Sequence, residues 1–353
     1  MNSRLIRLNS ILERFKLDGM LVSLPANITY LTKYRSRDSY LLVSGKENIY
    51  FTDSRYAEEA KPGLKGTASI AKINGSLFKL IAQGCSDLGL KRVAFEERYM
   101  PYAEYAKIKG HLKTKSKLVP THGLIEELRE FKEPEEIKDI RKATQIAVAA
   151  LRYIKKLIRP GRKEIEIEAE LEHFIRYHGA ENSSFDVIVA SGANSAYPHH
   201  ITSERKIRNN EPVLIDMGVD YMGYKSDLTR VFFLGKINLL AQKIYTAAKE
   251  AQEKAIKNIH PGVKASDIDR VAREFLTEKG FAKYFGHNLG HGVGLEVHEE
   301  PRLSGKSGQI LAAGMIVTVE PGIYITGKFG VRIEDMVLIT DEGCEVLSGA
   351  LNK

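Results

Sequence analysis

Three histidines, His287, His291 and His298, fall within the fifteen residues HNLGHGVGLEVHEEP at 287–301. His287 and His291 stand four apart, the spacing at which a helix turns two imidazoles toward one metal ion. A zinc-protease helix is nevertheless excluded. Gly290, Gly292 and Gly294 alternate through the stretch, and each costs a helix roughly 1 kcal/mol relative to alanine. Position 288 is Asn, where such a helix carries its general-base glutamate. The stretch reads as a glycine-rich strand-and-loop segment whose glycines allow close backbone approach to a substrate. If its histidines bind metal, further ligands come from elsewhere in the chain.

Four carboxylates meet that requirement. Asp216 follows Val213-Leu214-Ile215 and Glu320 follows Ile316-Val317-Thr318-Val319, so both stand where the flanking residues belong in a core. A buried carboxylate must be paired, protonated or bound to a cation, and for an isolated one a structural ion pair is the ordinary outcome. Here the pattern is doubled. NEPVLIDMGVDYMGYKSDLTRV and AGMIVTVEPGIYITGKFGVRIEDMV share one plan: an apolar strand ending in a carboxylate, Gly and aromatic turn residues, then a second strand with another carboxylate. The first delivers Asp216 and Asp227, the second Glu320 and Glu334. With a neutral His291 the set carries about four negative charges, which two divalent cations neutralise; such ligands suit Mn²⁺, Co²⁺, Fe²⁺ or Zn²⁺. A carboxylate-bridged metal pair generates hydroxide at neutral pH and clamps an attacked carbonyl.

Positioning these groups takes a substantial framework, and 353 residues are enough for two domains. Residues 1–126 read as a small α/β domain. It opens with an amphipathic helix, its apolar stripe being Leu5, Leu8, Ile11, Leu12 and Phe15, and continues with strand-like runs at GMLVSL, SYLLVSG, NIYFTD and RVAFEE. Residues 127–353 form the second domain. Pro134 suits a first helical turn, with Glu135 and Glu136 at the positive end. Ile137, Ile140, Thr144, Ala147, Leu151 and Ile154 keep the helical period until Pro160-Gly161. Further helices are expected near 163–178, 237–258 and 265–279, and strands at FDVIVAS, EPVLIDMG, TRVFFLG, MIVTVEPGIYI and VRIEDMVLIT.

The ordered set Asp216, Asp227, His291, Glu320 and Glu334, carried by IDMG, SDLTR, LGHGVGLEVHE, VEPGIY and VRIED, resembles the creatinase/prolidase/methionine aminopeptidase family of dinuclear metallopeptidases. ANITYLT, FTDSRY and FKEPEEIKDIRKA resemble the N-terminal domain and linker of prolidases and aminopeptidases P, so the likeness spans essentially the whole chain. The resemblance implies a pita-bread catalytic domain, an α+β fold with a two-fold pseudo-repeat, behind the N-terminal α/β domain. It also implies two metal ions per chain, Mn²⁺ foremost. Asp216 would chelate one, Asp227 and Glu334 would bridge the pair, and His291 and Glu320 would hold the second. A bridging water or hydroxide is the implied nucleophile, and Glu320 the shuttle that takes its proton to the leaving nitrogen. His298 matches the histidine that contacts the substrate carbonyl, and His199, in SGANSAYPHHITSE, matches one on the opposite wall, with His200 the less favoured neighbour. Both would polarise a developing oxyanion. His287 would support the metal ligands from behind. Arg332, two before Glu334, would hold the bridging carboxylate from the same face of a strand, and Arg302 would bind a substrate carboxylate.

The implied reaction is cleavage between an N-terminal residue and proline in short peptides by a homodimer. It leaves open a strict prolidase acting on dipeptides alone. An amidinohydrolase on the same fold is expected to lose metal ligands, as is a binding protein such as the peptidase-like module of a histone chaperone. The N-terminal domain argues against a plain methionine aminopeptidase. A net charge of +8 is spread among acids without a nucleic-acid motif. No apolar run is long enough for a membrane span. Cys85 and Cys344 form no disulfide framework, so a cytoplasmic protein is expected.

Overall fold

The computed structural model describes residues 2–112 and 116–351. The chain forms two compact units that divide between Arg129 and Glu130.

The first unit runs α1 (Ser3–Arg14), β1 (Gly19–Val22), α2 (Pro25–Thr32), β2 (Tyr40–Ser44), β3 (Ile49–Thr52), α3 (Ala57–Leu64), β4 (Ser69–Lys72), α4 (Leu77–Asp87), β5 (Arg92–Glu96), α5 (Tyr102–Leu112), β6 (Lys117–Thr121) and α6 (Glu126–Arg129). Its strands make one mixed sheet in the order β4-β3-β2-β1-β5-β6. The four apolar runs of the sequence are its centre. The edges β4 and β6 carry no comparable run, because an edge strand half open to water needs no continuous apolar sequence. In α1, Leu5, Leu8 and Leu12 are buried, whereas Phe15 caps the helix and is half exposed.

The second unit contains four long helices, α7 (Pro134–Ile154), α8 (Glu164–Tyr177), α9 (Leu239–Lys257) and α10 (Ala265–Glu278). Its strands are β7 (Asn182–Ser183), β8 (Ile188–Ser191), β9 (Pro212–Met217), β10 (Val219–Tyr221), β11 (Tyr224–Lys225), β12 (Leu228–Phe233), β13 (Gly290–Gly292), β14 (Glu299–Leu303), β15 (Ile316–Val319), β16 (Gly322–Ile325), β17 (Phe329–Arg332), β18 (Asp335–Ile339) and β19 (Cys344–Val346). Pro134 starts α7 inside a capping box of Glu133 and Glu136. The helix ends at Ile154, the last residue of its apolar period, ahead of the Pro160-Gly161 stop. Its last bonds tighten, Lys156 to Tyr153 and Leu157 to Ile154, and the unwound chain turns Ile158 into the core.

The antiparallel sheet β8-β9-β12 is buried on both faces, and strand alternation sorts its side chains. Val189, Val213, Ile215 and Leu228 join the core around α7 and α8. Ile188, Ala190, Leu214 and Val231 join the core around α9 and α10, which also receives β15 and β18. Each helix pair thus backs one of the twin hairpins, the pseudo-two-fold plan of a pita-bread fold.

Candidate metal centre

The carboxylates meet where the two hairpins face each other. Asp216 lies on β9, Asp227 immediately precedes β12, Glu320 follows β15, and Glu334 sits between β17 and β18. A backbone bond joins the halves, Glu334 N donating to Thr229 O at 3.2 Å, and another ties Glu320 N to Leu289 O, just before β13, at 2.8 Å. Arg230, paired with Asp335 at 2.6 Å, also donates to Glu334 O at 2.6 Å. His291 comes in on β13, its Nε2 3.3 Å from Glu320 Oε1 and 3.6 Å from Asp227 Oδ2. Its Nδ1 faces Gly292 O at 3.0 Å, which fixes the proton there and leaves Nε2 free to act as a ligand.

Two ligand groups result, Asp216–Asp227–Glu334 and His291–Glu320–Glu334, with ligand atoms within 4.8 Å of one another and Glu334 in both. A third such group joins Asp227, His291 and His298. Burial, together with the charges of Glu334, Asp216 and Glu320, drives the Asp227 pKa far up. Burial and the charges of Glu320 and Asp216 do the same to Glu334. Burial also pushes Glu320 upward, but the His291 imidazole 3.3 Å away outweighs it and holds the carboxyl at about 2. Asp216 Oδ1 and Glu334 Oε1 are buried without a hydrogen-bond partner among the described residues. Unpaired, mutually repelling carboxylate oxygens beside a free imidazole nitrogen fit divalent cations, whose charge removes both penalties.

Arg332 is placed differently from expectation. Its Nη2 bonds Asp216, while Thr229 stands between it and Glu334: Arg332 Nε donates to Thr229 Oγ1 at 3.0 Å, and that hydroxyl donates to Glu334 Oε2 at 2.7 Å. The cause is that β17 ends at Arg332, so strand alternation no longer relates it to Glu334. Arg332 Nη1 also donates to Tyr324 OH at 2.8 Å, and His287 Nε2 lies 3.1 Å from that phenol. His287 therefore reaches the centre through Tyr324. The glycines of the histidine segment serve chain packing, and Gly290 also lines the cavity that opens there. A Cβ at Gly290 would lie 2.0 Å from Thr318 O, and one at Gly292 would lie 2.1 Å from Glu300 O.

A cavity of about 650 Å³ opens onto the carboxylates and is walled by His199, His298, Arg302 and Ile201. The His298 ring stands edge-on to His291 with centroids 4.4 Å apart. Burial, then the charges of His291 and Arg302, lower its pKa to about 4, so it is neutral near pH 7 and offers one N–H. Arg302 Nε is 3.8 Å from Glu300, a loose pairing that leaves its donors toward the cavity. His199 has no hydrogen-bond partner among the described residues, whereas His200 Nε2 bonds the buried Glu164 at 3.0 Å and is held by structure. Thr229 and Tyr324 lie inside the motif segments but carried no role in the sequence reading. Tyr324 is marked only as a polar-tipped side chain on an otherwise apolar strand, and Thr229, beside Arg230, gave no signal. Glu168 and Asp186 at the cavity edge, one on a helix and one in a loop, gave no sequence signal.

Residues 138–341 match Metallopeptidase family M24 and residues 4–131 match the Creatinase/Prolidase N-terminal domain. The chain is 35% identical over 351 residues to an Xaa-Pro dipeptidase of Pyrococcus horikoshii, covering 99% of this chain and 97% of the relative. Among solved structures, an Xaa-Pro dipeptidase from Bacillus anthracis superimposes with a TM-score of 0.94 at 40% identity, covering 98% of this chain and 96% of that one. An X-Pro aminopeptidase from Thermotoga maritima gives 0.88 at 35% identity, with 95% and 97% covered.

Proposed function

Because the chain belongs to Metallopeptidase family M24, we propose that it hydrolyses the peptide bond between an N-terminal residue and proline, using two divalent cations, Mn²⁺ foremost. The observation that carries this reading is the pair of ligand groups sharing Glu334, with orphaned oxygens on Asp216 and Glu334, at the floor of a peptide-sized cavity. Asp216, Asp227, His291, Glu320 and Glu334 would hold the cations, which when bound supply Lewis-acid polarisation of the carbonyl and acidify a water molecule.

The chain's own groups do the rest. Glu320, close to both His291 and Thr318, accepts the proton of the attacking water and returns it to the departing proline nitrogen. His199 and the neutral imidazole of His298 line the same space and donate to the carbonyl oxygen as negative charge grows on it. Arg302 takes the carboxylate of a short substrate. Arg332 holds Asp216 and, through Thr229, Glu334.

Relatives named as dipeptidase and as aminopeptidase support the Xaa-Pro bond equally and leave the length of the peptide to experiment. The test is hydrolysis of Xaa-Pro, Xaa-Pro-Yaa and Xaa-Ala-Yaa peptides with added Mn²⁺; equal rates on the last two would overturn the proline requirement. We also propose a homodimer, read from the resemblance of the N-terminal domain to that of prolidases, with sedimentation as its check. A cytoplasmic site accords with two free cysteines, one of them buried. No helix among the described residues is long and apolar enough to cross a membrane.

A further inference from the structure

Gln252 lies in the middle of α9, on the face that otherwise carries Ala241, Ile244, Ala248, Ala251 and Ala255, and it is fully buried. A primary amide in an alanine-lined core costs free energy unless its hydrogen-bonding groups are used. Its Nε2 lies 2.9 Å from Val319 O and 3.2 Å from Ile333 O. Both partners are carbonyls, so the two-hydrogen nitrogen has to face them and the orientation of the amide is fixed. Its Oε1 has no partner among the described residues, so the donor side accounts for the amide being there.

The two carbonyls belong to the residues immediately before Glu320 and Glu334. Val319 ends β15 and Ile333 follows β17, so one side chain joins the peptide units that launch two ligands from different strands. We propose that Gln252 is a positioning residue that sets the spacing of Glu320 and Glu334, and through it the affinity of one of the two metal positions. Glu320 and Glu334 belong together only to the group with His291, whereas Asp216–Asp227–Glu334 does not contain Glu320. Relaxing the spacing therefore weakens most the His291 position, where two of the three ligands shift, while the other keeps Asp216 and Asp227 in place. The inference rests on the dinuclear reading of the centre.

The test measures metal binding directly, on the full chain freed of metal and titrated with Mn²⁺ by calorimetry and electron paramagnetic resonance. Wild type should bind two ions and give an exchange-coupled signal. Gln252→Met, matched in length but without donors, should bind its second ion roughly 10–100-fold more weakly, the usual effect of losing a group that orients a ligand. It should also show the six-line signal of an isolated Mn²⁺ at limiting metal. Ala248→Gly loosens the same helix face without touching either carbonyl, so it should lower Tm yet keep the coupled pair. Gln252→Asn, whose amide is withdrawn from the carbonyls, should behave like the Met variant and serves if that one fails to fold. Two tight, coupled ions in either folded Gln252 variant, or the same metal defect in Ala248→Gly, would overturn the inference, as would failure of both Gln252 variants to fold. Wild type binding fewer than two ions would overturn the dinuclear reading itself.

Discussion

Thr229 Oγ1 and Glu334 Oε2 are 2.7 Å apart, and the same hydroxyl accepts from Arg332 Nε at 3.0 Å. The hydroxyl's single proton is thus committed to the carboxylate. Of all the candidate ligands Glu334 is the least exposed, so its orientation rests on this bond and on its backbone anchors. Thr229→Val keeps the shape of the side chain and removes the proton. Mn²⁺ affinity is expected to fall about 10–100-fold with little change in substrate KM once metal is saturating. Calorimetric titration with Mn²⁺ checks this, and unchanged affinity would release Glu334 from any dependence on Thr229.

Metal removal should act on stability as well as turnover. Binding to the folded chain alone adds about 2.7 kcal/mol at a ligand concentration of 100 Kd, and it relieves the repulsion that pushes Asp227 and Glu334 upward. A chelator is expected to abolish peptide hydrolysis and lower Tm, and Mn²⁺ to restore both. Scanning calorimetry with and without chelator reads the effect; an identical Tm would mean that the carboxylates do not bind the ion.

Glu320→Gln retains an oxygen ligand and loses the proton acceptor. The expected outcome is a kcat reduced by about 10²-fold or more, on the scale of general acid–base catalysis, with metal content near that of wild type. Near-normal kcat would remove the shuttle role from Glu320.

His298 walls the cavity beside His291. In His298→Ala, kcat/KM should fall by roughly 10²-fold, the effect of losing one oxyanion donor. Metal stoichiometry separates the alternatives, since a lost ion would make His298 a ligand in the group with Asp227 and His291.

The buried Glu164 accepts from Ser191 N and Oγ at 2.7 and 2.6 Å, from Ser203 Oγ at 2.6 Å and from His200 Nε2 at 3.0 Å. Burial alone would raise its pKa, but these bonds outweigh it and hold the group below its ordinary 4.5. A depressed folded pKa contributes stability that is present above pH 4.5 and is lost as pH falls through the folded value. Glu164→Gln should therefore lower the urea midpoint at pH 6, with the gap to wild type narrowing as pH drops below 4.5. A gap that is constant or widens toward acid would contradict this.

Sequence alone determined the parts of this protein that depend on local periodicity and on residue types that are costly out of place. Apolar runs marked the central strands of both units, the helical period marked α7 to α10, and carboxylates standing among core residues marked the centre, because burying such a group demands a compensating charge. The alternating glycines excluded a helix around His291 for an equally local reason. What the tertiary structure decided depends on partners distant along the chain. The edge strands β4 and β6 exist because neighbouring backbone offers hydrogen bonds, which no side-chain pattern records. The strand end at Arg332 turned it toward Asp216, 116 positions away in sequence. Gln252 meets the carbonyls before Glu320 and Glu334 only once α9 has packed behind both strands. Spacing within a segment can be read from a chain, but the meeting of segments is fixed by packing.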